Sequence, residues 1–96
     1  MIMIDVIFEA EESRAAAYDG EKLVGICTVP ENEDGVWVLD HTVVREEYGG
    51  QGLAGLLVDC VTEAARARNK KILPVCSYAV KRFNRKEDYA DVFYKD

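Results

Sequence analysis

A mixed α/β fold, with the segregated order of an α+β chain, is predicted by three features. Turn-separated segments of alternating polarity run through residues 3–44, helical periodicity takes over after the glycine cluster Gly49-Gly50-Gln51-Gly52, and a short apolar run, Ile72-Leu73-Pro74-Val75, follows that helix. Together they predict a mixed sheet: antiparallel strands one to four, then a helix, a parallel fifth strand and a short C-terminal helix.

Residues 3–10 alternate, with Ile4, Val6 and Phe8 on one face and Asp5, Ile7 and Glu9 on the other, as a strand requires. Residues 13–18 and 22–29 read as two further strands joined at Asp19-Gly20, a dipeptide that accepts the positive φ of a tight hairpin. Pro30 closes the third strand and Asn32-Glu33-Asp34-Gly35 makes the next turn. Residues 36–44 form the fourth and most β-prone strand, with Trp37, Leu39, His41 and Val43 expected on one face. Asp40 then falls on the opposite face, a poor direct partner for His41.

Beyond Gly52 the period lengthens. Leu53, Leu56, Leu57, Cys60, Val61, Ala64 and Ala65 form an apolar stripe, with Asp59, Glu63 and Arg66 outside it. Arg66, Arg68, Lys70 and Lys71 gather near the helix end, where the macrodipole favours cations, and Asn69 suits the position just past it. Pro74 has no N–H to give to a ladder, which assigns the fifth strand to an edge or a bulge. Ala79, Val80 and Phe83 set helical spacing within residues 78–86, while residues 87–96 are aromatic-rich and without a period.

A chain of 96 residues is expected to form one domain around one core. Its formal net charge of -6 argues against a nucleic-acid partner, whose binding rests on Lys and Arg neutralising phosphates. Cys27, Cys60 and Cys76 are an odd set without CxxC spacing and His41 is the single histidine, so neither a disulfide framework nor a metal site is expected. No apolar run is long enough to cross a bilayer, and Met1-Ile2-Met3-Ile4 meets Asp5 without the basic head of a signal peptide. A reducing cytoplasm is the expected compartment.

The glycine cluster carries the chemistry. The first N–H groups of a helix have no intrahelical partner and the macrodipole favours negative charge there, so a phosphorylated ligand is the natural guest. Gly50 and Gly52 permit close approach of the backbone, with the amides of residues 51–54 facing the anion; otherwise these glycines only make a tight strand-to-helix turn. A nucleotide-hydrolysing phosphate loop needs a Lys after its last glycine, and a dinucleotide fold needs its glycines after the first strand of a parallel sheet. The chain offers neither.

Gly50-Gln51-Gly52-Leu53-Ala54, opening a helix after a strand that ends in Val44, resembles the acetyl-CoA-binding motif of the GNAT N-acetyltransferases, Arg/Gln-x-x-Gly-x-Gly/Ala. Gly52 and Ala54 fill its last two fixed positions, and Gly49 stands where Arg or Gln usually does. The chain is similar in particular to the small single-domain branch known as the YjdJ type, through His41-Thr42-Val43-Val44, Gly50-Gln51-Gly52, Ala65-Arg66 or Ala67-Arg68, Leu73-Pro74-Val75-Cys76 and Tyr89-Ala90-Asp91.

The resemblance implies acetyl-CoA as cosubstrate and a primary amine, on a small molecule or a protein, as acceptor. Gly49, Gly50, Gln51, Gly52, Leu53 and Ala54 would hold the pyrophosphate. Backbone groups of Thr42, Val43 and Val44 would hold the thioester and pantetheine arm, between strands four and five splayed apart. Larger members carry helices between their first two strands, where Glu11-Glu12 here leaves room for a turn, so the acceptor face is expected to be open or completed by another molecule. The alternatives are a non-catalytic CoA- or acyl-CoA-binding module and a protein-interaction domain on the same scaffold.

His41 reads as a general base, its unperturbed pKa of roughly 6.5 suiting proton removal near neutrality, or as a histidine packed beside Trp37, Leu39 and Val43. Cys76 reads as a thiol that protonates departing CoA, as an acyl-carrying nucleophile, or as a small buried residue. Tyr78 is the rival acid, or an aromatic that packs the second helix. Arg66, Arg68, Lys70 and Lys71 either reach the adenosine 3′-phosphate or solvate the helix end.

Overall fold

The alternation of the first half folds into three antiparallel strands, β1 (Ile4–Glu9), β2 (Arg14–Asp19) and β3 (Lys22–Thr28), in a computed structural model that describes residues 3–84 and 87–94. A single 3-10 turn, Ala10–Glu12, joins the first two, and Asp19 pairs with Lys22 across the expected hairpin. Register slips between Ala17 and Tyr18, which pair with Gly25 and Leu23, so Val24 is an extra residue in β3. That bulge turns both Val24 and Gly25 into the core.

Residues 36–44, expected as one strand, are two: β4 (Trp37–Leu39) and β5 (His41–Val44), broken at Asp40. β5 continues the first sheet, in the order β1-β2-β3-β5, whereas β4 pairs in parallel with β6 (Ile72–Pro74) in a second, two-stranded sheet. One unpaired residue reverses the side-chain alternation. Trp37 and Leu39 are buried, but after Asp40 it is Thr42 and Val44 that turn inward while His41 and Val43 are exposed. The expectation of Trp37, Leu39, His41 and Val43 on one face is thereby corrected.

α1 (Leu53–Ala67) covers the inner face of the four-stranded sheet. Leu57 is fully buried there, the order of 1.5–3 kcal/mol of stabilisation for such a side chain. A Cβ on Gly25 would lie 3.1 Å from Leu57 Cδ1 and 3.3 Å from the Val43 carbonyl, so helix and sheet approach this closely only over a glycine. Leu56, assigned to the apolar stripe, is 51% exposed, and Gly55, Val58 and Thr62 are buried instead. The helix is covered on two sides, by the sheet and by the chain after β6, and its buried arc is wider than a single stripe. Its end follows expectation: Asn69 adopts φ 60° after the last turn.

The second helix, α2, is Ser77–Phe83, shorter than residues 78–86; positions 85 and 86 lie outside the described residues. Part of the aperiodic tail, within residues 87–94, enters the core. After the 3-10 turn Glu87–Tyr89, Tyr89 and Val92 are buried, Phe83 stacks on Tyr89 at 4.7 Å between ring centroids and meets Phe93 edge-on at 5.6 Å. Ile72 donates its N–H to Val92 O and accepts from Tyr94 N, which closes the flank of β6 away from β4. Among the described residues no helix is long and apolar enough to cross a membrane.

Candidate functional site

The site begins where two strands part. The Leu39 carbonyl accepts N–H groups from both Val75 (2.9 Å) and Cys76 (3.2 Å), the last backbone links between the strand pair β4–β6. At the next residue the Asp40 N–H turns away to Thr28 O (3.3 Å), and β5 runs on as the partner of β3 alone. A wedge therefore opens beyond Leu39. One wall is the edge of β5, where half the backbone groups of Thr42, Val43 and Val44 point away from β3 and meet no strand among the described residues. The other wall is Cys76 and the start of α2. The strands expected to splay do so, at the break the sequence pattern concealed.

His41 and Asp40 meet at that break. His41 Nδ1 lies 3.1 Å from Asp40 Oδ1, which also accepts the Thr28 hydroxyl at 2.5 Å. Asp40 is thus the direct partner it was not expected to be, because strand alternation does not hold across an unpaired residue. Its partial burial alone would raise its pKa, but the Thr28 hydroxyl and His41 outweigh that and hold the carboxyl below its usual range. In the neutral imidazole, donation from Nδ1 to the carboxylate leaves Nε2 as the acceptor of a ring that is 69% exposed on the outer face. On that face Ile7 and Val43 are exposed, and Val43, Leu23, Ile26 and Arg45 help line an apolar groove of 220 Å³. The packed-histidine reading is excluded by this exposure.

Cys76 caps α2, its Sγ accepting the Ala79 N–H at 3.4 Å, and stands 3.5 Å from Thr42 Oγ1 across the mouth of the wedge. Behind it, the same hydroxyl contacts fully buried Cys27 at 3.6 Å. Tyr78 is 39% exposed and accepts from Arg82 Nη1 at 3.4 Å, so it does not pack the core. Arg82 carries no signal in the sequence pattern. Its guanidinium lies flat on Gly55, where a Cβ would come within 3.0–3.1 Å of Nη1, Cζ and Nη2, and it bonds Asp59 and the Tyr89 hydroxyl. Burial and the hydrogen bond to Asp59 push the Tyr89 phenol up to about 12, so it stays protonated and joins α1 to the C-terminal turn.

Along the chain beyond β5, Gly52 precedes α1 with φ 78° and Gly50 has φ 80°; a Cβ on either would meet none of the described residues within 4 Å. Among the described residues no side chain caps α1, and its first turn holds no acidic residue. The N–H groups that follow Gly52 are bare in this sense, a surface that fits an anion. The cations that the sequence offers to an adenosine 3′-phosphate lie elsewhere. Arg66 is held by Asp91 at 2.6 Å and 2.8 Å and by Glu63, Arg68 lies over the Phe8 ring, Lys70 pairs with Glu31 at 3.3 Å and Lys71 donates to the Asp91 carbonyl. They sit at the far end of a helix of 15 residues, about 22 Å from Gly52. Their surface pairs account for them. No group of metal-ligating side chains occurs among the described residues.

Asp40, Glu9 and Asp91 share a sign. Glu9 is lowered chiefly by Tyr18 and Arg14, Asp91 chiefly by Arg66. Each is more easily ionised folded than unfolded, so its stabilisation is complete above the ordinary values of 4.5 (Glu9) and 3.8 (Asp40, Asp91) and is lost as pH falls through the lowered ones. The urea midpoint is expected to be level above about pH 5 and to fall below it, less steeply in Asp40→Asn.

The model of the GCN5-related N-acetyl-transferase family matches residues 13–92. A solution structure of a GCN5-like protein from Staphylococcus aureus superposes with a TM-score of 0.75 at 29% identity, over 96% of this chain and 89% of that one. The crystal structure of a ribosomal-protein-alanine N-acetyltransferase from Brucella melitensis biovar Abortus 2308 has the same fold, with a TM-score of 0.55 at 22% identity over 75% of this chain and 61% of that one. A search of curated proteins finds no match. The family match runs from the start of β2 to Val92 and takes in the strand break, the glycine cluster and α2, and the chain belongs to the GCN5-related N-acetyltransferase family.

Proposed function

We propose that the protein, working as one acetyl-CoA-binding domain, transfers acetyl from acetyl-CoA to a primary amine. The observation that carries this reading is the wedge beyond Leu39, a strand edge open to a peptide-like ligand and flanked by an imidazole on one side and a thiol on the other. Pantetheine amides pair with the free edge of Thr42, Val43 and Val44, and the pyrophosphate takes the bare amides at Gly50, Gln51, Gly52, Leu53 and Ala54. Gly49 offers no side chain, so the backbone supplies this contact.

The acceptor approaches from the open outer face, where His41 stands. Nε2 takes the proton of the attacking amine while Asp40 holds the ring and stabilises the imidazolium. The new N–C bond forms, the C–S bond breaks, and the leaving CoA sulfur takes a proton from Cys76, with Tyr78 as the rival donor. Three free thiols suit a reducing compartment, the cytoplasm. Thiol release from acetyl-CoA with a panel of primary amines tests the reaction: amine-dependent release supports transfer, and saturable acetyl-CoA binding without release by any amine supports the binding-module alternative.

A further inference from the structure

The Thr42 hydroxyl touches two sulfurs and has one proton. Oγ1 donates to Cys27 Sγ at 3.6 Å and lies 3.5 Å from Cys76 Sγ, where either atom can be the donor. While its hydroxyl donates to Cys27, Oγ1 accepts from the Cys76 S–H, and the outer thiol is held as a proton donor at the mouth of the wedge. A Cys76 thiolate is an acceptor only. The hydroxyl then turns about its Cβ–Oγ1 bond to donate to Cys76, and the Cys27 S–H turns to donate to Oγ1. No proton leaves the pair Thr42–Cys27 in this exchange. It works only while Cys27 stays protonated, and burial before all else pushes that thiol up to about 12.

We propose that Thr42 is the positioning residue of Cys76, a hydroxyl rotor backed by the buried Cys27 thiol that holds the outer thiol before it gives up its proton and stabilises the thiolate afterwards. In the transfer step, where the proposal rests on the acetyltransferase reading, Cys76 S–H protonates the CoA sulfur as the C–S bond breaks, and the thiolate it leaves regains its proton from solvent. The rotor itself needs neither CoA nor acceptor, so it is measurable in the free protein.

The test is the rate at which iodoacetamide alkylates each cysteine at about pH 8, read by mass spectrometry, in the parent, Thr42→Val, Thr42→Ala and Thr42→Ser. Valine keeps the shape of threonine and removes the hydroxyl. A tenfold loss of thiolate reads as about a threefold loss of rate, because a less stabilised thiolate is also the better nucleophile. Alkylation of Cys76 is expected to slow about threefold or more in the valine and alanine variants and to recover in the serine variant, with Cys60 unchanged in all four. Parent-like alkylation of Cys76 in a valine or alanine variant whose amide spectrum is native overturns the proposal; should valine alone disturb the fold, alanine decides. Slowed alkylation in the variants of a parent protein that does not bind acetyl-CoA leaves the rotor standing and removes the acetyltransferase reading, whereas turnover by the parent with unslowed alkylation in the variants does the reverse.

Discussion

His41→Ala is expected to lower amine-dependent turnover by roughly a hundredfold or more, the scale of a positioned proton-transfer group, with acetyl-CoA affinity nearly that of the parent. The imidazole stands on the outer face at the strand break, its Nδ1 3.1 Å from Asp40, and takes no part in the edge of β5 that would hold the cosubstrate. Binding and rate therefore separate. Among Cys76→Ser and Tyr78→Phe, at least one is expected to lose turnover on the same scale while still binding acetyl-CoA. The geometry favours Cys76, which faces Thr42 across the wedge, over Tyr78, whose hydroxyl is turned toward Arg82. Equal activity in all three variants would remove these side chains from the mechanism. An acetylated Cys76 that discharges to amine at the turnover rate would replace direct attack with a covalent route.

Gly52→Val is expected to weaken CoA binding at least tenfold, about 1.4 kcal/mol. At φ 78° a β-branched residue is strained, and its side chain would stand in the open space where the backbone would meet the pyrophosphate. Strain alone is separable by Gly35→Val. Gly35 has the same φ of 78° but lies in the turn near Lys70, at the far end of α1. That variant is expected to share the loss of thermal stability and keep parent affinity. Unchanged CoA affinity in a folded Gly52→Val protein would contradict the site.

How far the fold is legible in the chain depends on how local each cause is. Ile4, Val6 and Phe8 face the core as their alternation says, and the Asp19-Gly20 hairpin and the left-handed Asn69 follow from single-residue conformational preferences. The break at Asp40 does not. Nothing in Trp37-Val38-Leu39-Asp40-His41 marks the point where one neighbour is exchanged for another, because it is set by Leu39 O bonding to Val75 and Cys76 and by Asp40 bonding to Thr28. The same non-local cause hid the Asp40–His41 pair and the inward turn of Thr42. Of the site, the glycine cluster could be found from its spacing, and His41 and Cys76 from a family resemblance. Arg82 could not, since its place on Gly55 joins residues 27 positions apart with no pattern between them.

Titration of the isotope-labelled protein with CoA and acetyl-CoA, followed by backbone amide shifts, tests the central claim most directly. Saturable shifts centred on Gln51, Gly52, Leu53 and Ala54 and extending along Thr42, Val43 and Val44, with the amides of Lys70 and Lys71 unmoved, are the predicted result. An absence of saturable shifts, or shifts centred on the basic end of α1 with the Gly52 amide still, would contradict it.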